Sequence, residues 1–288
     1  MRTLTHTVTP SQEGLPVRRL VPSVFHLGTH LFRRLKVQGG ILVNGEPVHV
    51  SRVLHAGDVL SIRIDSPELT ASSPLIRYMD EDLIIVHKPA PLPTLPGRDR
   101  GLSLRECLCR DLGEPEETFV FHPVNRLDKG TSGLMCVARH DHAQRLLSEQ
   151  LHTGSFHREY LAVTLGVPSP LSGTVDLPIA KAGTGARRCV SPEGKLAVTH
   201  YETLQVFQGR ALLRLNLETG RTHQIRVHLA ALGCPIAGDY LYGAADPRLP
   251  DRFALHSARL CRTQPLTGQA LCFDAPLPED LEGLLQAP

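Results

Sequence analysis

The chain has 288 residues, 41% hydrophobic and 21% charged, an ordinary globular composition with room for one large or two ordinary domains. No apolar run approaches the roughly 18 residues of a membrane-crossing helix, so a helical membrane span is excluded and no membrane partner is expected. The net charge of +2 conceals an asymmetry, because residues 1–65 hold 8 Lys and Arg against 4 Asp and Glu, whereas the remainder holds 23 against 25. The leading segment reads either as a footprint for a polyanion or as a solvated basic face.

The opening MRTLTHTVTPSQEG has no apolar core behind a basic end, so the mature chain is expected to begin there. A helix is predicted through Leu31–Lys36, carrying Arg33, Arg34 and Lys36. Asn44-Gly45 between β-prone residues then signals a hairpin. Ser66-Pro67 and Ser72-Ser73-Pro74 mark a boundary, giving a small domain over residues 1–70 and a larger one over 75–288. Asp82–Val86 reads as a buried strand, and Lys88-Pro89-Ala90-Pro91 as the start of a Pro-rich, exposed loop. Ala143, Leu146, Leu147 and Leu151 share one face of a helix. Leu213, Leu215 and Leu217 alternate with polar residues as in a half-buried strand, and Tyr160–Thr164, Thr199–Leu204 and Phe253–His256 supply further strands. The larger unit is therefore expected to be α+β around a mixed, mainly antiparallel sheet.

Seven scattered cysteines form no paired framework, which fits a reducing cytoplasm. Fifteen histidines show no metal-ligand spacing; His140 and His142 read as solvated flanks of a helix, and no metal site is expected.

Chemistry concentrates in three places. In His122-Pro-Val-Asn-Arg-Leu-Asp-Lys-Gly-Thr-Ser-Gly133, Arg126 and Lys129 flank Asp128, which is either a held carboxylate or the closure of a turn. In Glu218–Leu229, Thr222 could cap a helix whose first turn, with Arg221, suits an anion; the bland alternative is an amphipathic helix with Ile225, Leu229 and Leu232 inward and both arginines in water. His157-Arg158-Glu159-Tyr160 places a tyrosine at the start of a strand. A hydrolase built from Ser132, Asp128 and His122 lacks the Gly-x-Ser-x-Gly elbow.

Arg-Leu-Asp-x-x-Thr-Ser-Gly at 126–133, Arg-Glu-Tyr at 158–160 and Gly-Arg-Thr-His-Gln-Ile-Arg-Val-His at 220–228 resemble, in this order, the RluA-type RNA pseudouridine synthases. The likeness continues through Ala237-Gly238-Asp239, Tyr242-Gly243, Leu255-His256 and Pro265–Gly268. The first segment is similar to a degenerate small RNA-binding domain of the ribosomal-protein type. The resemblance implies isomerisation of uridine to pseudouridine in RNA, ribosomal RNA first and transfer RNA second, after base flipping and without cofactor. It assigns Asp128 as the catalytic carboxylate, either attacking the ribose anomeric carbon or removing a ribose proton. Arg226 would pair with Asp128, and Tyr160 would stack on the uracil and help remove its carbon-5 proton. Arg126 would fill the gap left by the flipped base, Arg221 would contact phosphate, and Leu255 would line the pocket. Arg33, Arg34 and Lys36 would bind RNA from the leading domain. A monomer is the default expectation. Many relatives carry histidine where this chain has Asn125, which bears on RNA handling near the loop.

Overall fold

The computed structural model describes residues 2–27, 29–64, 75–97, 102–116 and 119–286. The first unit holds β1 (Arg2–Thr7), α1 (Val17–Val24), α2 (Thr29–Gln38), β2 (Ile41–Val43), β3 (Glu46–Pro47) and β4 (Val59–Ile64), its four strands ordered β1-β4-β2-β3. The Asn44-Gly45 turn joins β2 to β3 with both φ angles positive, 54° and 86°, as a two-residue hairpin demands. Leu20, Val21, Leu35, Ile41, Leu60 and Ile62 pack into this unit's own core. The boundary read at residues 66–74 lies outside the described residues.

The second unit runs β5 (Ile76–Met79), β6 (Leu83–Lys88), α3 (Leu104–Leu112), β7 (His122–Pro123), β8 (Ser132–Ala138), α4 (Asp141–Thr153) and β9 (His157–Leu165). It continues with β10 (Ser172–Asp176), β11 (Ile179–Lys181), β12 (Arg188–Val190), β13 (Val198–Phe207), β14 (Arg210–Leu217), α5 (Gln224–Ala231), β15 (Leu255–Thr263), β16 (Ala270–Asp274) and α6 (Glu279–Glu282). Ten of these strands form one sheet in the order β10-β13-β14-β9-β15-β8-β6-β5, with β16 added on β15 and β7 on β8. The β8–β15 pair is parallel and the others are antiparallel, so the fold is α+β with a mixed, mostly antiparallel sheet. The inward stripe of α4 behaves as its spacing requires: Ala143 and Leu147 are buried with Leu151 packed beside them.

Four expectations are corrected. Cys261 and Cys272 are joined in a disulfide, because the antiparallel register of β15 and β16 sets them directly opposite, 4.1 Å apart at Cα. His140 and His142 are buried rather than solvated, at 3% and 2% exposure. The Nδ1 of His140 caps α4 by accepting from the Ala143 amide, and its Nε2 meets buried Asp82 at 3.1 Å. The loop after Lys88 is only partly exposed, since Leu92 and Thr94 are buried. Finally, Thr222 does not cap α5; that position belongs to His223 in the left-handed region, without a side-chain cap.

Burial lowers both His142 and His256 from 6.5 to about 4, helped by neighbouring His140 and His87 respectively. The folded chain therefore refuses two protons that the unfolded chain accepts below about pH 6.5. Stability is complete above that pH and falls toward about pH 4, by about 1.4 kcal/mol per unit for each histidine. The melting temperature is expected to drop between about pH 7 and pH 5, and His142→Gln to flatten the drop. A melting temperature constant over that range would contradict this account.

Candidate active site

The four adjacent strands β14, β9, β15 and β8 deliver the site's residues to one region. Asp128 lies in the loop before β8, Tyr160 on β9, Leu255 at the start of β15, and Arg226 on α5 just after β14. All four line one cavity of about 620 Å³, within the about 300–1,000 Å³ common for ligand clefts. Gly133 permits the junction of β8 with β15: its φ is +109°, and a Cβ there would lie 2.2 Å from the Ser257 carbonyl oxygen. No other residue type fits that crossing.

The Asp128 loop is tied from below. Fully buried Lys88 donates through Nζ to the carbonyls of Leu92 (2.6 Å), Pro89 (3.0 Å) and Lys129 (3.4 Å). Burial lowers that ammonium to about 7, against an upward pull from Asp128. The Thr94 hydroxyl donates to the Leu127 carbonyl at 2.7 Å, and Asn125 Oδ1 accepts from the Cys136 amide at 3.0 Å. Asn125 thus anchors the loop to β8, a task for a side chain with an acceptor at this place.

Arg226 is the centre of the charge arrangement. Its Nη1 donates to Asp128 Oδ2 at 3.0 Å, while its Nε and Nη2 grip both oxygens of Asp239 at 2.7 and 2.9 Å. Asp239 is completely buried and Arg226 is 5% exposed, with its guanidinium 4.2 Å from the Phe253 ring centroid. Burial alone would lower this arginine, but the hydrogen bonds and charge of Asp239, with Asp128 behind them, raise it above its ordinary value. The fork leaves one N–H edge for Asp128, so the carboxylate's direction is fixed by a residue already held elsewhere.

His223 also approaches Asp128, Nε2 to Oδ2 at 3.8 Å. Its Nδ1 lies 2.8 Å from the Tyr242 hydroxyl, which accepts from the Arg188 amide at 2.8 Å. Burial lowers the imidazole despite Asp128, so the neutral form is favoured. Gln224 braces this turn: its Oε1 accepts from the Arg221 amide and its Nε2 donates to the Val198 carbonyl, both at 2.9 Å. Tyr160 is buried, and burial pushes its phenol up, with Arg158 pulling down less.

The expected residues divide clearly. Asp128, Tyr160, Arg226 and Leu255 converge, and Arg126 and Arg221 are exposed residues lining the same cavity. The nearest cation to Asp128 is distant in sequence: the carboxylate pairs with Arg226, while Arg126 and Lys129 are exposed. Of the two arginines of the second cluster, only Arg221 is in water; Leu232 is partly exposed, contrary to the inward reading. Arg33 and Lys36 are exposed on α2 away from the cavity lining, and the Arg34 side chain lies outside the described residues. The hydrolase trio does not assemble. Ser132 is bonded to His256 and Arg252, and His122 to Asp141 and Gln144. Asp239, His223, Tyr242 and Lys88 were missed as site residues. Among the described residues, no group of three or more His, Cys, Asp and Glu is placed to hold a metal.

The family model described as RNA pseudouridylate synthase matches residues 82–231, which contain Asp128, Tyr160 and Arg226. The chain belongs to the RNA pseudouridine synthases, of the RluA type. This pseudouridine synthase is 36% identical over 269 residues to an uncharacterized RNA pseudouridine synthase, YjbO, of Bacillus subtilis, covering 90% of this chain and 95% of that one. It is 38% identical over 304 residues to ribosomal large subunit pseudouridine synthase D of Vibrio cholerae, covering 96% and 92% of the two chains. Among solved structures, human RNA pseudouridylate synthase domain containing 4 superposes with a TM-score of 0.58 at 26% identity, over 72% of this synthase and 90% of the human chain.

Proposed function

We propose that this synthase converts specific uridines to pseudouridine in structured ribosomal RNA of the large subunit, with Asp128 as the catalytic group. The observation that carries the reading is the Arg226-held carboxylate at 3.0 Å, lining one cavity with buried Tyr160. Large-subunit RNA is favoured because a relative covering nearly the whole chain bears that substrate in its name; transfer RNA is the second choice.

The target uridine leaves the helical stack, at a cost of a few kcal/mol when paired, and enters the cavity with its sugar toward Asp128. Asp128 acts on the ribose, at the anomeric carbon or at a proton beside it, so that the nitrogen–carbon bond breaks. The uracil turns against Tyr160 and rejoins the sugar through carbon 5, which then loses its proton. Arg126, exposed at the rim, occupies the space left in the RNA, and Arg221 meets phosphate.

The basic first unit docks the RNA. Arg18 and Arg19 on α1 and Arg33 and Lys36 on α2 are all exposed, as phosphate contacts must be. Removal of residues 1–65 is expected to weaken RNA binding and to reduce the slope of log affinity against log salt, by about 0.9 per lost duplex phosphate contact and about 0.7 per single-strand contact. An unchanged slope would remove the docking role. Pseudouridine mapping across total RNA, with and without the gene, tests the substrate: loss of discrete large-subunit sites is expected. Loss confined to transfer RNA would select the alternative.

A further inference from the structure

Among the described residues, Arg158 is a buried cation with no carboxylate in ion-pair contact. On β9 it alternates onto the same face as Tyr160, and it is 9% exposed and lines the same cavity. Its Nε is buried without a hydrogen-bond partner. The described carboxylates around the cavity are engaged elsewhere: Asp128 pairs with Arg226, Glu159 with Arg214, and Glu218 with His200. Its company is the Phe156 ring, 6.0 Å from the guanidinium, and the Tyr160 phenol. Gly220 on the far side leaves it room, since a Cβ there would lie 3.2 Å from Nη1.

A guanidinium removed from water without an anion destabilises the free protein, so the arrangement makes sense only when an anion arrives. Resting on the reading that Asp128 and Tyr160 receive a flipped uridine, we infer that Arg158 binds the phosphodiester flanking that uridine. Residues two apart on a strand lie about 7 Å apart. That spacing lets Tyr160 meet the base while Arg158 meets the backbone of the same nucleotide. The bases are uncharged, so the phosphate is the one anionic group that the RNA can bring to this position. Its oxygens suit a planar fork of N–H donors.

The test uses a synthetic RNA hairpin carrying a uridine located by the mapping experiment, bound by the full chain in an Asp128→Asn background to prevent turnover. Arg158→Gln is expected to weaken binding about tenfold and to lower the salt slope by about 0.7. Replacing the flanking phosphate by an uncharged methylphosphonate should cost the parent about tenfold and the Arg158→Gln protein nothing further. Arg158→Lys should keep the slope. Removing an uncompensated charge should leave the melting temperature of Arg158→Gln equal to or above the parent's, the opposite of what a structural arginine would give. An unchanged salt slope, or losses from the variant and the methylphosphonate that add, would overturn the assignment and point to a base or protein contact. Conversion by the Asp128→Asn protein itself would instead overturn the underlying reading of the site.

Discussion

Asp128→Asn is expected to abolish pseudouridine formation, by on the order of 10⁴-fold or more, while leaving the fold and RNA affinity nearly intact. The side chain is 29% exposed in the cavity lining, and among the described residues its side-chain hydrogen bond is the 3.0 Å one from Arg226. An amide of the same shape can turn its oxygen to that donor, so little packing is lost. What disappears is the negative charge to which the proposed function assigns the chemistry. Single-turnover assays on the mapped substrate, with the melting temperature measured in parallel, separate the two effects. An active amide variant would show that the chemistry lies elsewhere.

Arg226→Met is expected to fail in both stability and activity. It strips the guanidinium fork from Asp239, whose side chain is fully buried and keeps among the described residues the Leu241 amide, and a buried charge without its ion partner costs about 3–5 kcal/mol. Arg226→Lys keeps the charge but cannot serve both carboxylates with one planar group, and a loss of about 10²-fold in rate is expected from misplaced Asp128 alone. The double variant Arg226→Met, Asp239→Leu should recover much of the stability seen in urea titration and none of the activity, because the two residues are directly coupled. If the single Arg226→Met protein is as stable as the parent, the buried pair is not the brace described here.

Elements with one buried face were legible from the sequence. The α4 stripe and the alternation of Leu213, Leu215 and Leu217 in β14 each follow from a simple period, and both lie where the period puts them. Asp128, Tyr160 and Arg226 were legible through their motifs. Asp239 belonged to a recognised string, but its partnership with Arg226 needs the turn after α5 to fold back beneath the helix, which no local pattern announces. Lys88 offered no signal, because its partners are carbonyl groups whose positions exist only in the folded loop. His140 and His142 read as solvated beside Arg139 and Asp141; both are buried, His140 against Asp82, 58 positions earlier in the chain. The disulfide required the β15–β16 register, which cysteine spacing cannot supply.

The parallel union of β8 with β15 has a bearing on biogenesis. Asp128 meets Arg226 across 98 positions, and Ser132 meets His256 across 124. Contacts this remote must absorb loop-closure entropy before they return any stability, which makes their assembly slow. Until β15 arrives, a nascent polypeptide has β6 and β7 on β8 but lacks the partner for its Ser132–Gly133 end, a short open edge exposed to mispairing. Competence therefore does not accumulate as translation proceeds; it switches on when a late strand fills the slot beside an early one.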